Sequence, residues 1–132
     1  MHNGVVAHFT DIRRDLCDLL EKDAFSAVTG STDSEHIGAL YMTFLSTNKK
    51  DAIGRSAWEA EYTDEEMAAA MIAAVQRVLE LQHRTKGKDM RPSSLNLAAT
   101  DGRRMVAVRF RNCVGEEPRK SIFRSYFGAL SS

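Results

Sequence analysis

His2, Asn3 and Gly4 follow one another near the start of the chain, and together they can do one piece of chemistry. An asparagine side-chain amide and a glycine backbone N–H are two donors able to converge on the oxygen of a tetrahedral intermediate. Glycine also lets the backbone come up to a substrate carbonyl with no Cβ in the way. The plainer reading is a polar turn, because Asn-Gly favours positive φ. Asp33 has the same two readings. It stands between Thr32 and Ser34, ahead of an apolar helical pattern, where a carboxylate caps a helix or complements its dipole. It is equally a carboxylate able to bind a substrate ammonium, and spacing alone does not choose between the two.

Other reactive side chains are scattered. Cys17 and Cys113 form no CxxC, and no two of His2, His8, His36 and His83 have the i, i+4 spacing of a helical zinc site. Neither a metal nor a cofactor is expected. Eighteen basic and eighteen acidic side chains cancel, so no global field draws in nucleic acid or anionic lipid. No apolar run approaches the roughly 20 residues needed to span a bilayer. The first residues lack the basic start and long apolar core of a signal peptide. A cytoplasmic protein with no nucleic-acid or membrane partner is the expectation. At 132 residues, 43% hydrophobic and 27% charged, the chain fits one globular domain or a large part of one.

These side chains must be held by elements that the hydrophobic spacing outlines. Thr10 or Asp11 can cap a helix to about Leu20, with Ile12, Leu16, Leu19 and Leu20 on one face. Glu21 to Val28 reads as a short link with at most a helical turn. After the loop Gly30-Ser31-Thr32-Asp33, the residues Ile37, Leu40, Tyr41, Phe44 and Leu45 predict a second amphipathic helix to about Leu45, followed by a loop from Ser46 to Gly54. Thr63-Asp64-Glu65-Glu66 is a capping box. It opens a long helix whose face carries Met67, Ala70, Met71, Ala74, Val75, Val78 and Leu79 and whose stop is Lys86-Gly87-Lys88. Beyond Pro92 the period becomes alternating. Leu95–Thr100 and Met105–Phe110 flank Asp101-Gly102, the signature of a type I′ hairpin. Helices followed by an antiparallel hairpin indicate an α+β fold. In the tail, Ile122, Phe123, Tyr126, Phe127 and Leu130 fit a short amphipathic helix.

Three ordered blocks sharpen the site. His2-Asn3-Gly4-Val5-Val6 resembles the H-N-G-x-[IV] block of class II glutamine amidotransferases. Gly30-Ser31-Thr32-Asp33-Ser34-Glu35 resembles their (S/T)-D-(S/T)-E block. Ser94-Leu95-Asn96-Leu97 through Asp101-Gly102 to Arg109 looks like their late hairpin. Within the family, Tyr62-Thr63-Asp64-Glu65-Glu66-Met67 and Ser93–Leu97 favour the compact hydrolases of the fungal glutathione-degradation type. The resemblance implies Asn3 and Gly4 as oxyanion-hole donors and Asp33 as the group binding the α-ammonium of glutamine or of a γ-glutamyl group. It implies a partial N-terminal-nucleophile hydrolase fold, an α/β-β-α sandwich, over residues 1–118. Residues 119–132 then form a divergent tail.

The departures shape the expectation as much as the matches. The family nucleophile is an N-terminal cysteine whose own α-amine serves as base, whereas residue 2 here is His, and Cys17 and Cys113 cannot present a free α-amine. A tight turn at the very start and the absent nucleophile predict a chain that lacks its first strands. The expected activity is hydrolysis of a γ-glutamyl amide, glutamine or glutathione-like, with this chain carrying the recognition half of the pocket and inactive alone. A partner subunit of a glutathione-degrading complex would fit the resemblance. The alternative is a non-catalytic γ-glutamyl-binding or complex-assembly module.

Overall fold

The longest apolar stripe in the chain makes the longest helix. Its first turn is closed by the expected capping box: Thr63 Oγ1 accepts from the Glu66 amide at 3.1 Å, and Glu66 Oε2 accepts from the Thr63 amide at 2.8 Å. Helix α4 runs from there over Asp64–Lys86 and stops at Gly87, whose φ of 52° suits glycine. Met67, Ala70, Met71, Ala74, Val75 and Val78 are buried as the stripe requires, and Leu79 packs at its margin. The structure, a computed structural model, describes residues 1–47, 57–111 and 124–129.

Against α4 pack α1 (Phe9–Asp18) and α3 (Asp33–Thr47), with the short α2 (Lys22–Ala27) beside α3. Beneath them lies a four-stranded antiparallel sheet of β1 (His2–Val5), β2 (Ser94–Thr100), β3 (Arg104–Arg111) and β4 (Arg124–Ala129), in that spatial order. Leu95 and Leu97 of β2 and Val106, Val108 and Phe110 of β3 alternate onto the helix side and join one core with Ile12, Leu16, Ile37 and Leu40. Phe110, Ile12, Leu16, Leu40 and Leu95 are fully buried, each contributing about 1.5–3 kcal/mol by leaving water. The expected α+β class therefore holds, as helices layered on an antiparallel sheet.

Several local expectations are corrected. Asn3-Gly4 is not a turn but the middle of strand β1, paired with Asn96 and Leu95. The glycine is needed there for a different reason: its φ is +142°, and a Cβ would run into the Ser94 carbonyl of the neighbouring strand. Helix α1 starts two or three residues earlier than Thr10 or Asp11 would place it, at a left-handed His8 with no side-chain cap. Its tie is instead the His8 carbonyl, which accepts from the Asp11 and Ile12 amides. Glu21 caps α2 where only a link was expected. Ser46 and Thr47 extend α3, and the rest of the predicted 46–54 loop lies outside the described residues.

The hairpin forms, but its turn is displaced by one residue. The pairing Thr100↔Met105 leaves Gly102 and Arg103 at the centre, and only Gly102 has positive φ, which excludes type I′. Asp101 sets this register, because its Oδ1 accepts from the amides of Arg103 at 2.8 Å and Arg104 at 2.7 Å. Those two bonds, foremost among several causes, hold the Asp101 carboxyl below the usual range. In the tail, residues 124–129 are a strand paired with β3, not part of a helix: the open edge of β3 offers backbone partners that a weak helical period cannot match.

Candidate functional site

Strand β1 lies at the edge of the sheet, so half of its backbone groups face away from β2. Which half follows from one pair. The amine of Met1 donates to the Ala98 carbonyl at 2.6 Å, and the Ala98 amide donates back to the Met1 carbonyl at 2.8 Å. Bonded pairs alternate along an antiparallel ladder, so Met1, Asn3 and Val5 are bonded to β2. His2, Gly4 and Val6 direct their N–H and C=O toward the open edge. Asp33 occupies that edge: the Val6 amide donates to Asp33 Oδ2 at 3.3 Å. The Gly4 N–H and the Asp33 carboxylate thus lie along one open edge of one strand.

Side chains on β1 divide between two faces. His2, opposite Leu97, turns to the helices with its side chain 4% exposed. Its Nδ1 lies 2.8 Å from Ser34 Oγ and 3.9 Å from Asp33 Oδ1, and its Nε2 has no partner among the described residues. Asn3, opposite Asn96, is on the other face. There the Asn96 side-chain amide donates to the Asn3 carbonyl at 2.9 Å. The structure brings together His2, Gly4, Asp33 and Ser34, and leaves the Asn3 side chain on the far side of the sheet.

Asp33 is positioned by the loop before it. Glu35 reaches back to accept from the Gly30 amide at 3.1 Å, Thr32 Oγ1 at 3.2 Å and Thr29 Oγ1 at 3.4 Å. Burial works to raise the Glu35 pKa, but the bonds from Thr32, Gly30 and Thr29 outweigh it and hold the carboxyl below its ordinary value. Thr32 Oγ1 accepts in turn from the Glu35 amide at 3.3 Å, a reciprocal cap at the start of α3. Asp33 is therefore free of the capping duty that its sequence position suggested. Its side chain is 25% exposed. Its hydrogen bonds among the described residues, from Val6 N and from Ser34 Oγ at 3.4 Å, leave acceptor capacity on both oxygens.

The end of β1 is tied a second time by a buried junction. The Ala7 amide donates to Ser93 Oγ at 3.1 Å, and Gln82 Nε2 donates to the Ala7 carbonyl at 2.6 Å and to Ser93 Oγ at 2.8 Å. Gln82 and Ser93 are 0% and 1% exposed. Beside β1 and α3 opens a cavity of about 630 Å³, lined by His2, Ser34, Tyr41, Met71, Leu97 and Met105 among others. Tyr41 Oη is buried with no partner among the described residues. Burial first, with the negative charge of Asp101 and the neighbouring Tyr62, pushes its pKa up to about 12. Among the described residues no group of His, Cys, Asp and Glu could hold a metal ion. No helix in the same residues is long and apolar enough to cross a membrane.

Sequence reasoning singled out Asn3, Gly4 and Asp33 and missed the groups that hold them: His2 and Ser34 at the edge, Glu35 in the loop, Gln82 and Ser93 in the junction. His2, Ser34 and Glu35 stand in the resembling blocks with no role given to them, and Glu35 also carried a local signal, as the third residue after Thr32 in a capping pattern. A glutamine inside an apolar helical face gives no hint of its partners.

No family model matches the chain, and no solved structure matches it. Among curated proteins it is similar to Probable glutamine amidotransferase DUG3 of Saccharomyces cerevisiae, 29% identical over 112 residues that make up 83% of this chain and 30% of that protein. The chain spans about 30% of the length of the curated relative it matches, and the similarity supports a glutamine amidotransferase-like relationship over that span.

Proposed function

We propose that this chain carries the γ-glutamyl-recognition part of a glutamine amidotransferase-type hydrolase built on the N-terminal-nucleophile fold. Asp33 binds the α-ammonium of glutamine or of a glutathione-like γ-glutamyl compound. The Gly4 N–H donates to the oxygen that becomes negative when the γ-amide is attacked, without the Asn3 side chain, which lies on the other face of the sheet. The observation that carries this reading is the open edge of β1, where the Gly4 amide and the Asp33 carboxylate face the same side. An extended ligand lying along that edge meets an oxyanion donor at Gly4 and a cation site beside Val6, two residues apart on the strand. The similarity to a glutamine amidotransferase supports the substrate class.

The family's covalent step requires a cysteine thiol with a free α-amine at hand. Cys17, the cysteine among the described residues, is half-buried on α1 and has no such amine. The chain by itself accordingly binds a γ-glutamyl group without turning it over. Calorimetric titration with L-glutamine tests this directly. The parent chain is expected to bind and Asp33→Ala to bind at least about tenfold more weakly, as expected for a lost charge-assisted contact. A parent chain that takes up no heat with either glutamine or a γ-glutamyl dipeptide removes the reading. Release of ammonia from glutamine by the isolated chain would overturn the statement that it does not catalyse.

A further inference from the structure

Arg13 and His36 belong to none of the blocks that drew attention to the site, and they converge on the loop that sets Asp33. His36 is 1% exposed, with its ring edge-on to Phe9 at a centroid distance of 5.1 Å. Arg13 Nε donates to His36 Nε2 at 3.2 Å, and Arg13 Nη2 donates to the Gly30 carbonyl at 3.4 Å. His36 Nδ1 lies 2.7 Å from the Thr32 carbonyl. A guanidinium has donors only, so His36 Nε2 must present its lone pair. The ring proton is then on Nδ1, where it donates to Thr32. Gly30 is gripped on both peptide groups, its N–H by Glu35 and its C=O by Arg13.

We propose that Arg13 and His36 are positioning residues for Asp33: acting through the Gly30 and Thr32 carbonyls, they fix the last turn of loop before α3 and so the place of the carboxylate at the edge of β1. The inference rests on the reading of Asp33 as the ammonium-binding group. Neither residue touches the ligand. Arg13 is itself exposed, so its part is to hold the loop rather than to fill the core.

The test uses the full chain and reads the clamp and the ligand separately. Long-range ¹H–¹⁵N correlation spectra of the parent should show His36 as a neutral ring with its proton on Nδ1. In Arg13→Met that lock is lost. The amides of residues 30–32 should then exchange at least about tenfold faster, as a loop freed from its ties does. Affinity for L-glutamine should fall about tenfold while the thermal midpoint moves by less than about 3 °C. His36→Gln can place its side-chain oxygen where Nε2 lies, and should bring affinity back to within about threefold of the parent. His36→Leu offers no acceptor and should not.

A parent spectrum with the proton on Nε2 overturns the proposal, as does an Arg13→Met chain with parental loop exchange. The proposal is also overturned if glutamine binds and Arg13→Met leaves its affinity unchanged. If the parent binds no glutamine, the ammonium reading falls and the positioning role falls with it, while the spectra still decide whether the clamp exists. Asp33→Asn marks the difference, because it should weaken binding about tenfold without altering the His36 signals.

Discussion

Val6 and Ala7 are neighbours, both buried at the exit of β1, and they are fastened in opposite ways. Ala7 is held in a buried junction by Gln82 and Ser93, with both of its backbone groups satisfied. Val6 is held by Asp33 at an open strand edge, through one longer bond to a carboxylate that solvent reaches. A buried uncharged network is costly to open, since each group left unpaired inside it costs its desolvation, as Gln82 Oε1, without a partner among the described residues, already does. A partly exposed carboxylate with spare acceptor capacity can exchange partners at little cost. The contrast teaches that one strand end carries an anchor beside a carboxylate with spare capacity, which on the function proposed above is the receptor.

The largest effect should come from the anchor. Gln82→Leu deletes the donor to Ala7 and leaves that carbonyl buried without it. We expect a loss of about 3 kcal/mol of folding free energy, read as a lower urea midpoint at unchanged slope. Glutamine affinity should stay within about twofold of the parent. A variant that kept its stability and lost its ligand would reverse the assignment of the two regions.

Gly4→Ala attacks the strand between the two ties. The added Cβ meets the Ser94 carbonyl at a φ that L residues rarely adopt, for an expected cost of about 2 kcal/mol. Because β1 is a four-residue edge strand, the loss should appear first as faster exchange of the Asn96 and Ala98 amides. Unfolding of the whole chain before those amides open would show that β1 is part of the main cooperative unit. Asp33→Asn works on the receptor. It keeps an acceptor for Val6, so stability should move by less than about 1 kcal/mol, whereas glutamine affinity should drop about tenfold, or about 1.4 kcal/mol.

The same contrast explains what the sequence disclosed. The α4 stripe, its capping box and the alternation of β2 and β3 were legible because burial of one face imposes a period that local residues repeat. Asp33 and Gly4 were singled out because their neighbours resemble known blocks, and the structure sets both along β1. The conformation at Gly4 was misread, since Asn-Gly is a turn signal by local preference, whereas this glycine lies in a strand against Ser94, 90 residues away in sequence. The turn at Gly102-Arg103 was misplaced by one residue because Asp101 spends its carboxylate on two backbone amides. Strand β4 was read as a helix because its partner, the edge of β3, is invisible to a period. Gln82, Ser93, Arg13 and His36 act through partners distant in the chain, and nothing in their own neighbourhoods announces them.

Tyr41 sits on α3 in the wall of the cavity that His2 and Ser34 also line, and gives the smallest and most diagnostic effect. Its Oη lacks a partner among the described residues, so Tyr41→Phe removes an unsatisfied donor and keeps the ring. Stability at pH 7 should be unchanged or higher by about 0.5 kcal/mol. The alkaline side carries the signature. Unfolded, the phenol ionises near 10.0; folded, it resists until about 12, chiefly through burial. The unfolded chain therefore releases its proton first, so the stability contributed by the raised pKa is whole below pH 10.0 and declines as pH rises toward about 12. The parent should lose stability across that window, and Tyr41→Phe should lose less. The difference between the two curves cancels the other groups that titrate there. If the variant instead loses more than about 1 kcal/mol at pH 7, the hydroxyl has a partner in solution. Tyr41 then belongs with the anchors rather than with the open side of the site.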